Sequence, residues 1–160
     1  MTRFLGAFEY HLDDRNRVQL PPKIREAFSA GAILVKGGEE CIEVYTHDGF
    51  EVLTNVVDKA PRLSQGSENL NRAVFSTARE IPRDGQGRIS IPQELLTHIG
   101  LTNEEKRNSE ARQSVIVAGV GWRLEIWAKD TWQQKEQNLP KDRIEALERL
   151  SLNERANRVD

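Results

Sequence analysis

The stretches "DDRNRVQLP" (Asp13–Pro21) and "DGQGRISIP" (Asp84–Pro92) carry one pattern twice: Asp, three residues, Arg, aliphatic, polar, aliphatic, Pro, at an offset of 71. The match runs beyond the motif. The same offset carries Phe4 onto Phe75, Ala7 onto Ala78, Val18 onto Ile89 and Leu20 onto Ile91. Further on, an offset of 82 carries Ile33-Leu34-Val35 onto Val115-Ile116-Val117, Gly37 onto Gly119, Glu43 onto Glu125 and Tyr45 onto Trp127. The chain is therefore a duplicated unit, and the change from 71 to 82 places an insertion of 11 residues in the polar stretch Thr102–Ser114, expected to be an exposed, mobile loop.

Each unit has the same grammar. A strand ending near Tyr10 or Ile81 enters a turn at the Asp-x-x-x-Arg motif, and a strictly alternating strand follows. Alternation puts Val18 and Leu20, or Ile89 and Ile91, on one face, and Arg17 and Gln19, or Arg88 and Ser90, on the other. Proline then stops the strand and suits a first helical turn, predicting helices in "PKIREAFSAG" and "PQELLTHIGL" closed by Gly31 and Gly100. Two strands complete each unit, "AILVKG" and "CIEVYT" in the first and "SVIVAG" and "RLEIWA" in the second. Helices follow in "HDGFEVLTNVVDKA", capped by Asp48, and "KDTWQQKEQ", starting at Asp130, with a bridging helix "SENLNRAVFSTA" capped by Ser67. The tail from Pro140 carries Ile144, Leu147 and Leu150 at helical spacing and reads as a short amphipathic helix docked on its own protein, fraying into a charged end.

These elements predict a mainly β, α+β fold of duplicated β-β-α-β-β units. The boundaries read as 1–60 for the first unit with its following helix, 61–72 for the linker and start of the bridging helix, 73–139 for the second unit, and 140–160 for the charged helical tail. Four short strands and a helix cannot cover their own apolar face, so the two units are expected to interleave hairpins into one pseudo-symmetric closed barrel.

Composition bounds the function. The 160 residues are 38% hydrophobic and 30% charged, an ordinary folded composition. No apolar run approaches the roughly 20 residues that cross a bilayer, and the N-terminus lacks a signal peptide's apolar stretch, which reads as a cytoplasmic protein with no membrane partner. The single cysteine, Cys41, excludes an internal disulfide and reads as a buried thiol. A net charge of -2 does not announce a nucleic-acid binder, yet cationic residues concentrate around the two motifs: Arg3, Arg15, Arg17, Lys23 and Arg25 in the first, Arg79, Arg83 and Arg88 in the second.

For the motif arginines two readings are open. Arg17 and Arg88, presented on tight turns, could donate bidentately to phosphate oxygens or a guanine edge, with Arg15 adding a phosphate contact from the same face. Equally, each could form an Asp-Arg pair that only fixes the turn, exposed pairs contributing about 0 to 1 kcal/mol. Asp13 and Asp84 read as turn-shaping residues that accept backbone N–H bonds.

The segments "MTRFLGAFEYHLDDRNRVQLPPKIREAF" and "STAREIPRDGQGRISIPQELLTHIGL", with the endings "CIEVYT" and "LEIWAKDTW", resemble the MraZ family of bacterial transcriptional regulators encoded with the division and cell-wall cluster. The resemblance covers Met1 to about Trp132. It implies a tandem pair of AbrB/SpoVT-like swapped-hairpin units, assembly into a ring-shaped homo-oligomer, association with the nucleoid, and binding of double-stranded DNA at short promoter repeats. The family's turn arginine falls on Arg17 and Arg88, its turn aspartate on Asp13 and Asp84, and its extra basic residue on Arg15. Where the family has glycine before the first arginine this chain has Asn16, one of the few residues that tolerate a left-handed turn; the second motif keeps Gly87. Gln86 stands where the first motif has Arg15, so the second motif is expected to bind phosphate more weakly.

An enzyme is the rival class. His11, His47 and His98 have no metal-ligand spacing, no nucleophile-base grouping is evident, and the Gly37-Gly38 and Gly119–Gly121 turns are not phosphate loops, so neither a metal nor a cofactor is expected. The second rival is an AbrB-like scaffold or antitoxin-type interaction module, which the same fold would serve. Trp122, Trp127 and Trp132, the last two mirrored at the offset of 82 by Tyr45 and Phe50, read as core and subunit-interface packing.

Overall fold

A computed structural model describes residues 2–62, 64–103 and 113–158. Most of the 11-residue insertion expected within Thr102–Ser114 lies outside the described residues. The chain divides into two compact units, Met1–Lys129 and Asp130–Asp160.

The first unit is mixed α+β, and every strand pairing is antiparallel. Its strands are β1 (Ala7–His11), β2 (Arg17–Gln19), β3 (Ala32–Lys36), β4 (Cys41–Tyr45), β5 (Arg79–Ile81), β6 (Arg88–Ser90), β7 (Ser114–Gly119) and β8 (Leu124–Ala128). Helices α1 (His47–Asp58), α2 (Gln65–Phe75) and α3 (Gln93–His98) belong to the same unit. Six strands form one sheet in the order β1-β7-β8-β4-β3-β5, while β2 and β6 form a separate two-stranded ribbon.

The pairing crosses the duplication at four places. β1 of the first half pairs with β7 of the second, β4 of the first pairs with β8 of the second, β5 of the second pairs with β3 of the first, and β2 pairs with β6. The expected closed barrel does not form: β1 and β5 are the two edges of an open sheet. β2 and β6 are only three residues each and pair with one another through Arg17–Ser90, Val18–Ile89 and Gln19–Arg88, with one further bridge from Ile89 to Arg83. The ribbon caps the sheet instead of joining it. Val18, Leu20, Ile89 and Ile91 point inward at 0–2% exposure and pack with Leu34, Ile42, Val44, Val115, Val117, Leu124 and Ile126. Each such side chain contributes about 1.5–3 kcal/mol by leaving water, which holds a ribbon too short to persist alone.

The opposite face of the central strands is covered too. Tyr45 packs against Phe50 of α1 at 6.0 Å and against Trp122 at 5.4 Å, and Phe50 meets Phe75 of α2 at 6.1 Å. Trp127 is buried. Cys41 is buried there as well; burial, with Glu125 and Glu43 nearby, pushes its thiol up to about 12.

Several helix expectations need correction. The first post-motif helix is only a 3-10 turn, Arg25–Phe28, whereas its counterpart α3 is a true helix. The pair Pro21-Pro22 accounts for the difference, since a residue followed by proline is pushed out of the helical region and proline supplies no N–H. α1 is capped by Thr46, whose hydroxyl accepts from the Gly49 N–H at 3.0 Å, not by Asp48. α2 is capped by Ser64; Ser67 is the donor at 3.1 Å, inside the first turn. The second unit holds one helix, α4 (Lys129–Asn157), running through Pro140 where two helices were expected. No residue of α4 is buried, and Ile144, Leu147, Leu150 and Leu152 are 51–63% exposed.

Candidate nucleic-acid interface

The two motifs fold into the same turn. Asp13 Oδ1 accepts the backbone N–H of Arg15 at 2.9 Å and of Arg17 at 2.8 Å, while Oδ2 accepts the Arg17 Nε–H at 2.6 Å. Asp84 repeats this with Gln86 at 2.9 Å, Arg88 N at 2.9 Å and Arg88 Nε at 2.8 Å. Both turns are also closed by backbone bonds, Asp13 N–H to the Arg17 carbonyl at 3.1 Å and Asp84 N–H to the Arg88 carbonyl at 2.9 Å. These are Asx turns in which the side chain takes the place of a backbone acceptor.

The bonding shows in the acidities. Burial raises the Asp13 carboxyl, but the Arg17 N–H, the Arg17 guanidinium and the Arg15 N–H outweigh it and hold the group below its ordinary 3.8. Asp84 is held below the same value chiefly by the Arg88 N–H. Both aspartates are therefore ionised at neutral pH and pin their arginines by one nitrogen, Nε.

The residue before each arginine is left-handed, with φ of 56° at Asn16 and 78° at Gly87. The two positions differ in what lies over them. A Cβ on Gly87 would meet Arg25 Nε at 2.9 Å and Cδ at 3.0 Å, so any other residue there would have to hold the left-handed conformation and displace the Arg25 side chain. Asn16 faces Gln93 instead, donating to its Oε1 at 3.4 Å.

Pairing of β2 with β6 joins the motifs into one outward face. Arg17 lies opposite Ser90 and Gln19 opposite Arg88, with Val18 and Ile89 turned inward. The two arginines are thus diagonal neighbours, close enough that Arg88 Nη1 approaches Asp13 Oδ2 at 3.7 Å. Each polar residue braces the other half's turn: Gln19 Nε2 donates to the Gln86 carbonyl at 2.8 Å, and the Ser90 hydroxyl to the Arg15 carbonyl at 3.5 Å. Arg17 and Arg88 are about a quarter exposed. Arg15 is exposed and sits in the turn.

Three of the other cations gathered by sequence position are engaged elsewhere. Arg79 pairs with Glu94 at 2.7 Å, Arg83 pairs with Glu26 at 3.3 Å, and Arg25 donates to the Leu20 carbonyl at 3.3 Å. Within the motifs Arg15, Arg17 and Arg88 are matched in charge by Asp13, Asp14 and Asp84, so the face is a set of aimed donors, not a basic field. Sequence reasoning left Gln19, Ser90 and Arg25 out of the site. The alternation that put Gln19 and Ser90 on the arginine face was the available signal; for Arg25 there was none, since the offset of 71 carries it onto Leu96.

The histidines are separate. His11 Nδ1 bonds Ser114 at 3.0 Å, His47 pairs with Glu80 at 2.8 Å, and His98 bonds the Glu39 carbonyl at 3.0 Å. Among the described residues no group of three or more His, Cys, Asp or Glu is placed to hold a metal. No described helix is long and apolar enough to cross a membrane.

Known proteins share this chain's pattern over nearly its whole length. The family model described as "MraZ protein, putative antitoxin-like" matches residues 3–72 and 74–154. The chain is 36% identical over 148 residues to the transcriptional regulator MraZ of Dehalococcoides mccartyi, covering 92% of this chain and 97% of the relative. It is 36% identical over 143 residues to that of Alkaliphilus metalliredigens, covering 88% and 93%. It is 35% identical over 147 residues to that of Saccharopolyspora erythraea, covering 92% and 96%.

Proposed function

The chain belongs to the MraZ family of transcriptional regulators, and from that premise we propose that it binds DNA sequence-specifically and regulates the division and cell-wall gene cluster. It acts without catalysis, in the cytoplasm and on the nucleoid, gripping short promoter repeats as a ring-shaped homo-oligomer. The cross-half pairings support a tandem of AbrB-like swapped-hairpin units at 1–60 and 73–139.

The observation that carries the reading is the single outward face of the β2–β6 ribbon. A two-stranded ribbon fits the major groove, and an arginine held at Nε can turn its terminal nitrogens to guanine O6 and N7, with the Arg88 Nη1 shared with Asp13. Arg17 and Arg88 would read base edges, and the exposed Arg15 would hold a phosphate. Asp13, Asn16, Asp84 and Gly87 shape the turns that aim them. Three arginines balanced by three aspartates give a weak grip per subunit, so affinity comes from several subunits engaging several repeats, which raises avidity by roughly 10²- to 10⁴-fold.

Arg17→Ala is expected to abolish the band shift on a fragment carrying the repeats while the assembly's mass by light scattering stays unchanged. Arg15→Ala should weaken binding evenly across sequences and lower the salt slope by about 1 for each subunit engaged. Retained binding by Arg17→Ala would overturn the arginine face as the DNA contact, and no band shift by the parent chain would favour a scaffold or antitoxin-type module, which the family description's "antitoxin-like" wording favours.

A further inference from the structure

The exposed face of α4 offers a second surface, independent of the arginine ribbon. Ile144, Leu147, Glu148, Ser151, Leu152 and Arg155 line one side of the helix at the spacing i, i+3, i+4, i+7, i+8, i+11. Ile144, Leu147 and Leu152 are 58%, 51% and 63% exposed, and no residue of the helix is buried. Such a stripe on an otherwise charged helix calls for a cover.

The charges along the helix select the occupant. Glu148 and Arg155 sit on the stripe, symmetric about the Ser151–Leu152 peptide. About the same point Glu145 mirrors Arg158, and Arg149 mirrors Glu154. Every one of these mirror pairs joins opposite signs. Among the described residues none of the six is in an ion pair with another of them; the last ion pair along the helix is Lys141–Glu145 at 4.0 Å. A parallel copy would set like charge on like charge, whereas an antiparallel copy sets Glu148 of each helix against Arg155 of the other, the one charged mirror pair whose members both lie on the stripe.

We propose that α4 is a self-association surface, on which the α4 of a second copy lies antiparallel, with the two-fold axis passing between Ser151 and Leu152. Leu147 and Leu152 of the two helices cover one another's apolar stripe, and Glu148 of each copy faces Arg155 of the other. One such pair is short and therefore weak, and it gains strength when several copies of the chain are already held together. The pairing does not rest on the DNA reading.

The full-length chain tests it by disulfide trapping, since the native Cys41 is buried. Ser151→Cys is expected to form a cross-linked dimer under mild oxidation, and Gln137→Cys, on the same helix far from the axis, is not. Glu148→Arg in the Ser151→Cys background should slow cross-linking about tenfold, and adding Arg155→Glu should restore it by returning opposite charges to the mirror positions. Absence of cross-linking in Ser151→Cys, or equal cross-linking in Gln137→Cys, would overturn the pairing. Failure of the double charge swap to restore the rate would overturn the antiparallel register and leave the stripe to a different protein. Because cross-linking is read without DNA, a loss of DNA binding elsewhere in the chain leaves the expected bands unchanged.

Discussion

At the scale of the residue, each motif aspartate does two jobs with two oxygens. One closes the turn on backbone N–H groups and the other holds a guanidinium, and both favour the ionised form. Their acidities are lowered in the fold, so the stabilisation is present above the ordinary 3.8 and is lost as pH falls through the lower, folded value. Asp13→Asn should therefore lower the urea midpoint at pH 7, and its deficit against the parent should shrink as the titration is repeated toward pH 3. A deficit independent of pH would mean that the charge is irrelevant. The left-handed positions give a second asymmetry. Asn16→Gly should change stability little, whereas Gly87→Ala suffers both the left-handed conformation, about 1–2 kcal/mol, and the collision with Arg25. Arg25→Ala in the Gly87→Ala background should recover the second part, which thermal melts of the four-member cycle would measure. The aspartates and arginines were legible because the pattern occurs twice; Arg25 was not, because its contact lies across the duplication, where local sequence carries no signal.

At the scale of the element, strands were more legible than helix starts. Short runs rich in apolar and β-branched residues, set around the Gly37-Gly38 and Gly119–Gly121 turns, placed β3, β4, β7 and β8 to within a residue or two. Cap positions were misread by two or three residues, since "THDG" and "SQGS" each offer more than one capping side chain and only the three-dimensional turn selects Thr46 and Ser64. The closed barrel was over-read: duplication called for mutual cover, and a three-residue ribbon supplies it without closing the sheet. Gly119 shows how one pseudo-equivalent position acquires a private reason. At Gly37 an added Cβ would strike Cys41, while at Gly119 it would strike the Phe4 carbonyl carbon and the Leu5 nitrogen, both at 2.5 Å. Backbone cannot yield as a side-chain tip can. Gly119→Ala should accordingly unseat the bridge between Phe4 and Gly121 and lower the melting temperature by several degrees, with faster amide exchange at Phe4 as its local signature.

At the scale of the whole molecule, the duplicated halves cannot be taken apart. Among the described residues, β1 has its one strand partner in the second half, and β5 has its one strand partner in the first. Fragments 1–60 and 73–160 expressed alone should be unfolded by circular dichroism, and mixing them from denaturant should restore structure. Independent folding of either half would contradict the pairings. The candidate site obeys the same rule, since each arginine turn is braced by a side chain from the other half, Gln19 in one direction and Ser90 in the other. Two motifs could be read along the chain; their fusion into one face was invisible because it depends on strand pairing across 71 positions.

The crossed pairing also sets a clock on synthesis. His11 of β1 meets Ser114 of β7, 103 residues later, so at roughly 5–20 residues per second the ribosome holds an unpaired β1 edge for about 5–20 s. During that interval the nascent chain displays a strand whose complement does not yet exist, and neighbouring chains on the same message display its twin. Spacing between ribosomes, and whatever shields the emerging edge, then governs the yield of correctly threaded chains as much as the stability of the finished fold does.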